Sequence, residues 1–259
     1  MKVVGIFTWS VIQDAFHRKV FYVIVAFTVI LIFLIPLLPS ADVGVQMDLL
    51  REASLGLTSI MAFLLAVILA STIIPGEVKR RTIYNTLSKP VDRWQYYLGK
   101  YLGIMLVVTF TLILTFIVLV VFILAKFGMF NPGIAKALFA IFLEAAVLAA
   151  VAMIFSVYFS PLVCVVITLL VYVVGHVKGD FLYSAMTEAG NNIFLRGLAG
   201  ASYYLMPNLE RLNINETIAH GEKVFQVGAA ELVLLAGMAL AFAAIFLYIG
   251  GFLFSRRDL

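Results

Sequence analysis

Residues 101–125 carry no charged side chain. A helix rises ~1.5 Å per residue, so about 20 apolar residues cross the ~30 Å hydrocarbon core of a bilayer. The run therefore predicts a membrane span over about 98–125, long enough to tilt or to project beyond the core. Five further apolar runs predict spans at about 20–38, 55–74, 135–157, 160–176 and 229–254. With 64% apolar and 12% charged residues, the chain lies far from the ~25% charge of a soluble domain. The expected fold class is an all-α integral membrane protein, one transmembrane domain over 1–259 with six spans.

Charge placement orients the spans. Residues 1–19, 75–100 and 255–259 hold 11 of the 18 Lys and Arg residues, but only Asp14, Glu77, Asp92 and Asp258 of the 14 acidic ones. Lys and Arg flanking spans mark the cytoplasmic side, which puts both termini and residues 75–100 in the cytoplasm of a cell inner membrane. The basic residues flank spans and form no soluble basic domain, so nucleic acid is not an expected partner.

Residues 1–19 read as an interfacial helix. Val4, Phe7, Trp9, Val11, Ile12, Ala15 and Phe16 share one arc, and Lys2, Ser10, Gln13, Asp14 and His17 share the other, with Ile6 the exception. A cleaved signal competes for residues 20–41, but its apolar core would be shorter and its lead-in briefer. Residues 39–54, with Asp42, Asp48 and Glu52 against Arg51, read as an acidic outer loop. The next span ends at Pro75-Gly76, a helix-breaking pair. Tyr158-Phe159-Ser160-Pro161 is so tight a link that the fourth and fifth spans form an antiparallel hairpin. Residues 177–226, broken by Gly, Asn and Pro207, form an outer segment of short helices. Asn215-Glu216-Thr217 matches a glycosylation acceptor by spacing alone.

Missing motifs narrow the chemistry. There is no G-x-x-x-x-G-K-[ST] to cradle nucleotide phosphates and no H-E-x-x-H. The lone Cys164 allows no disulfide within the chain. His17, His176 and His220 are too scattered in sequence to suggest a metal site. Glu144 is the one clear acid inside a span; it either works or bonds a Ser or Thr of a neighbouring helix. Such scarcity speaks against proton-driven transport and points to an outside energy source.

Residues 74–100 (IPGEVKRRTIYNTLSKPVDRWQYYLGK) are the long charged interruption, with six of the 18 basic residues. Glu77 to Ser88 reads as a helix on which Ile83, Tyr84 and Leu87 make an apolar knob among basic residues, a shape for a partner's groove. Lys89-Pro90 stops it, and Trp94, Tyr96 and Tyr97 return the chain to the interface as anchors.

Glu77, Arg81-Thr82-Ile83, Leu87-Ser88-Lys89-Pro90-Val91, Arg93 and Leu98-Gly99-Lys100 resemble the loop between spans 2 and 3 of ABC-2 type transporter permeases. Ser160-Pro161-Leu162-Val163 is similar to their S-P-L-V turn, and Met206-Pro207-Asn208-Leu209-Glu210-Arg211 to an outer P-N-L-E sequence of one branch. The nitrous-oxide reductase maturation permeases are one branch with comparable loops. Arg81 departs from the pattern, standing where the family commonly has Gly. The resemblance implies a dimer, here a homodimer, in membrane lipid, each subunit docked on a separately encoded cytoplasmic ATPase that holds the ATP and Mg. No cofactor or metal is expected on this chain, which would not itself be an enzyme. It implies coupling through Glu77, Arg80, Arg81, Thr82, Ile83, Tyr84, Leu87, Lys89 and Pro90. A candidate path uses Thr58, Ser59, Ser71, Thr72, Glu144 and Thr168, with export the expected direction. The alternative is an ATP-independent carrier, or an intramembrane enzyme using Glu144 and His176.

Overall fold

In the computed structural model the described residues are 2–17, 19–34, 43–81, 92–128, 132–176, 209–212 and 228–257. Among them are seven α-helices: α1 (Lys2–His17), α2 (Lys19–Leu34), α3 (Val43–Lys79), α4 (Arg93–Phe127), α5 (Gly133–Ser156), α6 (Pro161–His176) and α7 (Ala229–Arg256). A 3-10 turn spans Glu210–Leu212, and no strand occurs among the described residues.

The expected six spans become four helices long and apolar enough to cross a membrane, within α3, α4, α5 and α7, plus the shorter apolar α6. Over its 16 described residues α6 rises about 24 Å. The expected first span reaches into residues 35–38, outside the described residues. So do most of the outer segment, the glycosylation pattern and the knob residues Ile83, Tyr84 and Leu87.

The α5 helix is the centre of the bundle: 78% of its apolar stretch is buried, against 17% for α7. Every residue from 143 to 153 is buried, and Ala145, Ala146, Ala149, Ala150 and Ala152 account for the closeness. In lipid no hydrophobic force drives helices together, so small side chains that permit wide van der Waals contact do that work. The α3, α4, α6 and α7 helices all pack against α5. Val157–Ser160 links α5 to α6, with Pro161 in the first turn of α6, so the expected hairpin is present. At the far end of α4, Gly128 takes φ +67° and donates its N–H to Leu124 O, a left-handed cap that no β-carbon opposes.

The α1 helix lies along α4. Its buried stripe is Phe7, Val11 and Ala15, narrower than the expected arc, and Trp9 joins Ile6 on the exposed side. The stripe meets Gly99 and Gly103, where a β-carbon would come 2.7 Å from Phe7 Cβ and 2.5 Å from Val11 Cβ. Thr8 Oγ1 donates to Gly99 O at 3.1 Å across the same contact.

Two expectations for α3 fail. It begins at Val43, so most of the acidic loop expected at 39–54 is helix, with Leu50 and Ser54 buried. Nor does Pro75-Gly76 break it: α3 runs through Pro75 to Lys79. An interior proline forfeits one hydrogen bond and costs roughly 3 kcal/mol. Burial of Ile73 and Ile74 just before it, and the polar contacts of Glu77 just after it, offset that cost. The helix ends at Lys79 in a turn where Arg81 has a φ of +57°, in the left-handed region. The N–H of Arg81 donates to Val78 O, and the N–H of Arg80 to Gly76 O. A glycine would take this conformation without the steric cost that Arg81 bears.

The aromatic anchors also need correction. Tyr96 and Tyr97 sit in the first turns of α4 and are fully buried; only Trp94 is exposed. Tyr96 stacks on Phe254 of α7 and meets Phe7 of α1 edge to face. The α7 end closes the same end of the bundle. Arg93 donates to Ser255 O and Arg257 O, Arg257 donates to Val157 O, and Arg257 lies over the Tyr158 ring. Through Tyr96, Phe7 of α1 and Phe254 of α7 are brought to the same end of the bundle.

Candidate functional site

The sequence directs attention to the charged stretch, and the structure shows what its root is fastened to. Glu77, in the last turn of α3, ion-pairs with Lys100 of α4 at 2.5 Å. Its other carboxylate oxygen accepts from Tyr96 Oη at 2.5 Å. Lys100 donates also to Ser10 Oγ of α1 at 2.9 Å, and its Nζ lies 5.4 Å from the Tyr96 ring centroid. Three helices therefore share one charged knot. The Lys100 side chain is only 4% exposed and that of Glu77 27%. An ammonium so buried is tolerable only with a carboxylate beside it and its remaining protons bonded.

Glu77 therefore does not open a separate docking helix after a break; it belongs to α3 and faces inward. Arg80 and Arg81 are exposed beyond it. Beside them a polar cavity of about 750 Å³ opens between α1 and the end of α3, lined by Ser10, Asp14, His17, Thr72, Glu77 and Arg80 among others. Thr82, Ile83, Tyr84, Leu87, Lys89 and Pro90 lie outside the described residues.

Most of the candidate path hydroxyls are turned to their own helices. Thr58 Oγ1 donates to Ser54 O, Ser71 Oγ to Ile68 O, Thr72 Oγ1 to Ile68 O and Thr168 Oγ1 to Cys164 O. Such i−4 and i−3 bonds satisfy a hydroxyl in an apolar setting and leave only its lone pairs for a visitor. Thr72 also borders the polar cavity.

The exceptions are Ser59 and Glu144, which meet. Ser59 Oγ of α3 donates to Glu144 Oε2 of α5 at 3.2 Å. This is the neighbouring-helix hydroxyl that the sequence offered as one of two roles for Glu144. His176, the last residue of α6, brings Nε2 to 3.3 Å from Glu144 Oε1, within ion-pair reach though outside hydrogen-bond geometry. The Tyr172 ring stacks between Phe63 and His176, at 4.3 Å from each. No group of three or more His, Cys, Asp or Glu able to hold a metal occurs among the described residues.

Sequence reasoning missed Tyr96, Lys100 and Ser10 as partners of Glu77; it paired Glu144 with His176 only in the alternative of an intramembrane enzyme, and did not single out Ser59 as the hydroxyl that Glu144 meets. The signal for the first was present: a charged Glu and a charged Lys on the near ends of adjoining spans.

Leu209, from the P-N-L-E sequence, donates its N–H to Gly175 O and is fully buried with Leu212 against α5 and α6. A β-carbon at Gly175 would come 2.7 Å from Leu209 Cδ1, so Gly175 makes the seat.

A family model described as ABC-2 family transporter protein matches residues 11–259. That description names no branch. No curated protein matches the chain.

Proposed function

We infer, because the chain belongs to the ABC-2 family of transporter proteins, that it is a permease subunit driven by a separate cytoplasmic ATPase through residues 77–91. Membrane subunits of this family generally work with such an ATPase. The chain is a multi-pass membrane component and carries no P-loop of its own. In this reading two copies form the dimer, ATP and Mg stay on the partner, both termini are cytoplasmic in the inner membrane, and the direction is export.

The knot of Glu77, Lys100, Tyr96 and Ser10 is the observation that carries the coupling role. A stretch that only satisfied the charge rule for cytoplasmic loops would need no buried ion pair at its root. Here a displacement at the end of α3 reaches α4 and α1 through charged contacts. The exposed Arg80 and Arg81 supply a basic surface beyond the knot for a partner to read.

The test is co-purification of a P-loop ATPase from the native membrane, with wild type and with a variant in which residues 82–91 are replaced by a Gly-Ser linker. We expect the linker variant to insert in the membrane and lose the ATPase. Ile83→Asp and Leu87→Asp should each abolish ATP-coupled transport while leaving insertion intact. Unchanged ATPase binding and activity in those variants would remove the coupling assignment.

A further inference from the structure

Glu144 and His176 have no part in the coupling reading, yet both sit at the meeting of α3, α5 and α6. His176 Nδ1 is 3.0 Å from Tyr172 O, one turn back on α6. A carbonyl oxygen only accepts, so Nδ1 carries the proton of that bond. In a neutral ring with that tautomer Nε2 is a bare lone pair. It faces Glu144 Oε1 at 3.3 Å, and Glu144 is 2% exposed. A bare nitrogen against an ionised carboxylate oxygen in a dry bundle is repulsive. Attraction returns when the pair binds one proton, as imidazolium and carboxylate at ion-pair distance.

We propose that Glu144 and His176 hold one proton between them, and that this proton, with the Ser59 bond to Oε2, latches the end of α6 to α3 and α5. Of the other groups on the packed elements, Tyr172 bears on the pair, its hydroxyl within hydrogen-bond reach of Ser59 and close enough to feel the charge of Glu144. The α3 helix offers Arg51 and Glu52 two turns before Ser59, α4 offers Tyr101 bonded to Ala146 O, and α6 offers Tyr172 and Cys164. Glu210 and Arg211 of the 3-10 turn and Glu231 of α7 are exposed. The latch sits where Leu209 seats on Gly175, so it also holds the surface on which the 3-10 turn rests. Broken, it frees the last turn of α6 and that seat together.

The inference stands apart from the coupling role, and its test needs no ATPase. The full-length chain, 15N-labelled at histidine and placed in nanodiscs, is compared with His176→Gln to assign the His176 resonances. We expect Nδ1 protonated in wild type at neutral pH. A neutral ring whose Nε2 is bare and shows no hydrogen-bond shift would overturn the proposal. Hydrogen exchange in the last turn of α6 is the second readout. Glu144→Gln, whose amide can donate to Nε2 and accept from Ser59, should stay within about twofold of wild type. Glu144→Met keeps the volume and loses both contacts, and should exchange about tenfold faster, as for loss of a buried bonded group. Exchange unchanged in E144M would show packing alone and sink the latch. If E144M does not fold, His176→Leu, at the partly exposed helix end, gives the same reading: faster exchange supports the latch and unchanged exchange refutes it.

Discussion

Removing the two halves of the Glu77–Lys100 pair should have unequal costs. Glu77→Leu leaves an ammonium 4% exposed, with Ser10 Oγ its one remaining hydrogen-bond acceptor in the knot. Stranding a buried charge costs about 3–5 kcal/mol. Lys100→Met strands a carboxylate that is 27% exposed and still accepts from Tyr96 Oη, so water and tyrosine share the load. That loss should be nearer 1–2 kcal/mol, the range for an imperfectly satisfied buried group. The double variant removes both charges and should cost less than the sum, with a coupling of about 1–3 kcal/mol. Reversible unfolding of the purified chain in mixed micelles, run as a double-mutant cycle, reads all four corners. If K100M costs as much as E77L, or the two add within about 0.5 kcal/mol, the knot is not a buried ion pair in the sense argued.

Two further outcomes follow from backbone and packing. Arg81→Gly relieves a left-handed residue whose side chain is exposed, and should raise the unfolding free energy by about 0.5–1 kcal/mol; a lower midpoint would show that the guanidinium has a structural partner. Gly103→Ala drives a methyl to 2.5 Å from Val11 Cβ and should cost about 1–3 kcal/mol. It should also cut cross-linking between cysteines placed at positions 8 and 99. Gly5→Ala, also helical and with nothing within 4 Å, is the control that should leave cross-linking unchanged and not lower stability.

Much of the architecture is written in the chain. Long uncharged runs leave a helix no alternative in lipid, because each backbone polar group must be satisfied within its own segment. The hairpin at Ser160-Pro161 and the inward stripe of α1 follow from turn chemistry and 3.6-residue spacing. What the sequence hides is how each helix is rotated about its axis. Apolar residues cover all sides of α5, so nothing in its pattern says that Glu144 looks toward Ser59, 85 positions earlier. Pro75 misleads for a related reason: local propensity counts one lost bond, whereas the bundle counts everything packed on either side of it. Tyr96 and Tyr97 read as interface residues by type, and only the nearness of Phe254 and Glu77 explains their burial.

The described chain stops at residue 81 close to one braced footing and resumes at residue 92 beside another. On the departing side Glu77 is pinned to Lys100; on the returning side Arg93 is pinned to the carbonyls of Ser255 and Arg257. Neither footing can shift alone, since Lys100 and Arg93 stand on the same helix within two turns. The frame is therefore stiff in the plane of the two footings and shares any load among α1, α3, α4 and α7. Work delivered to either footing, in the coupling reading proposed above, would go into tilting these helices together.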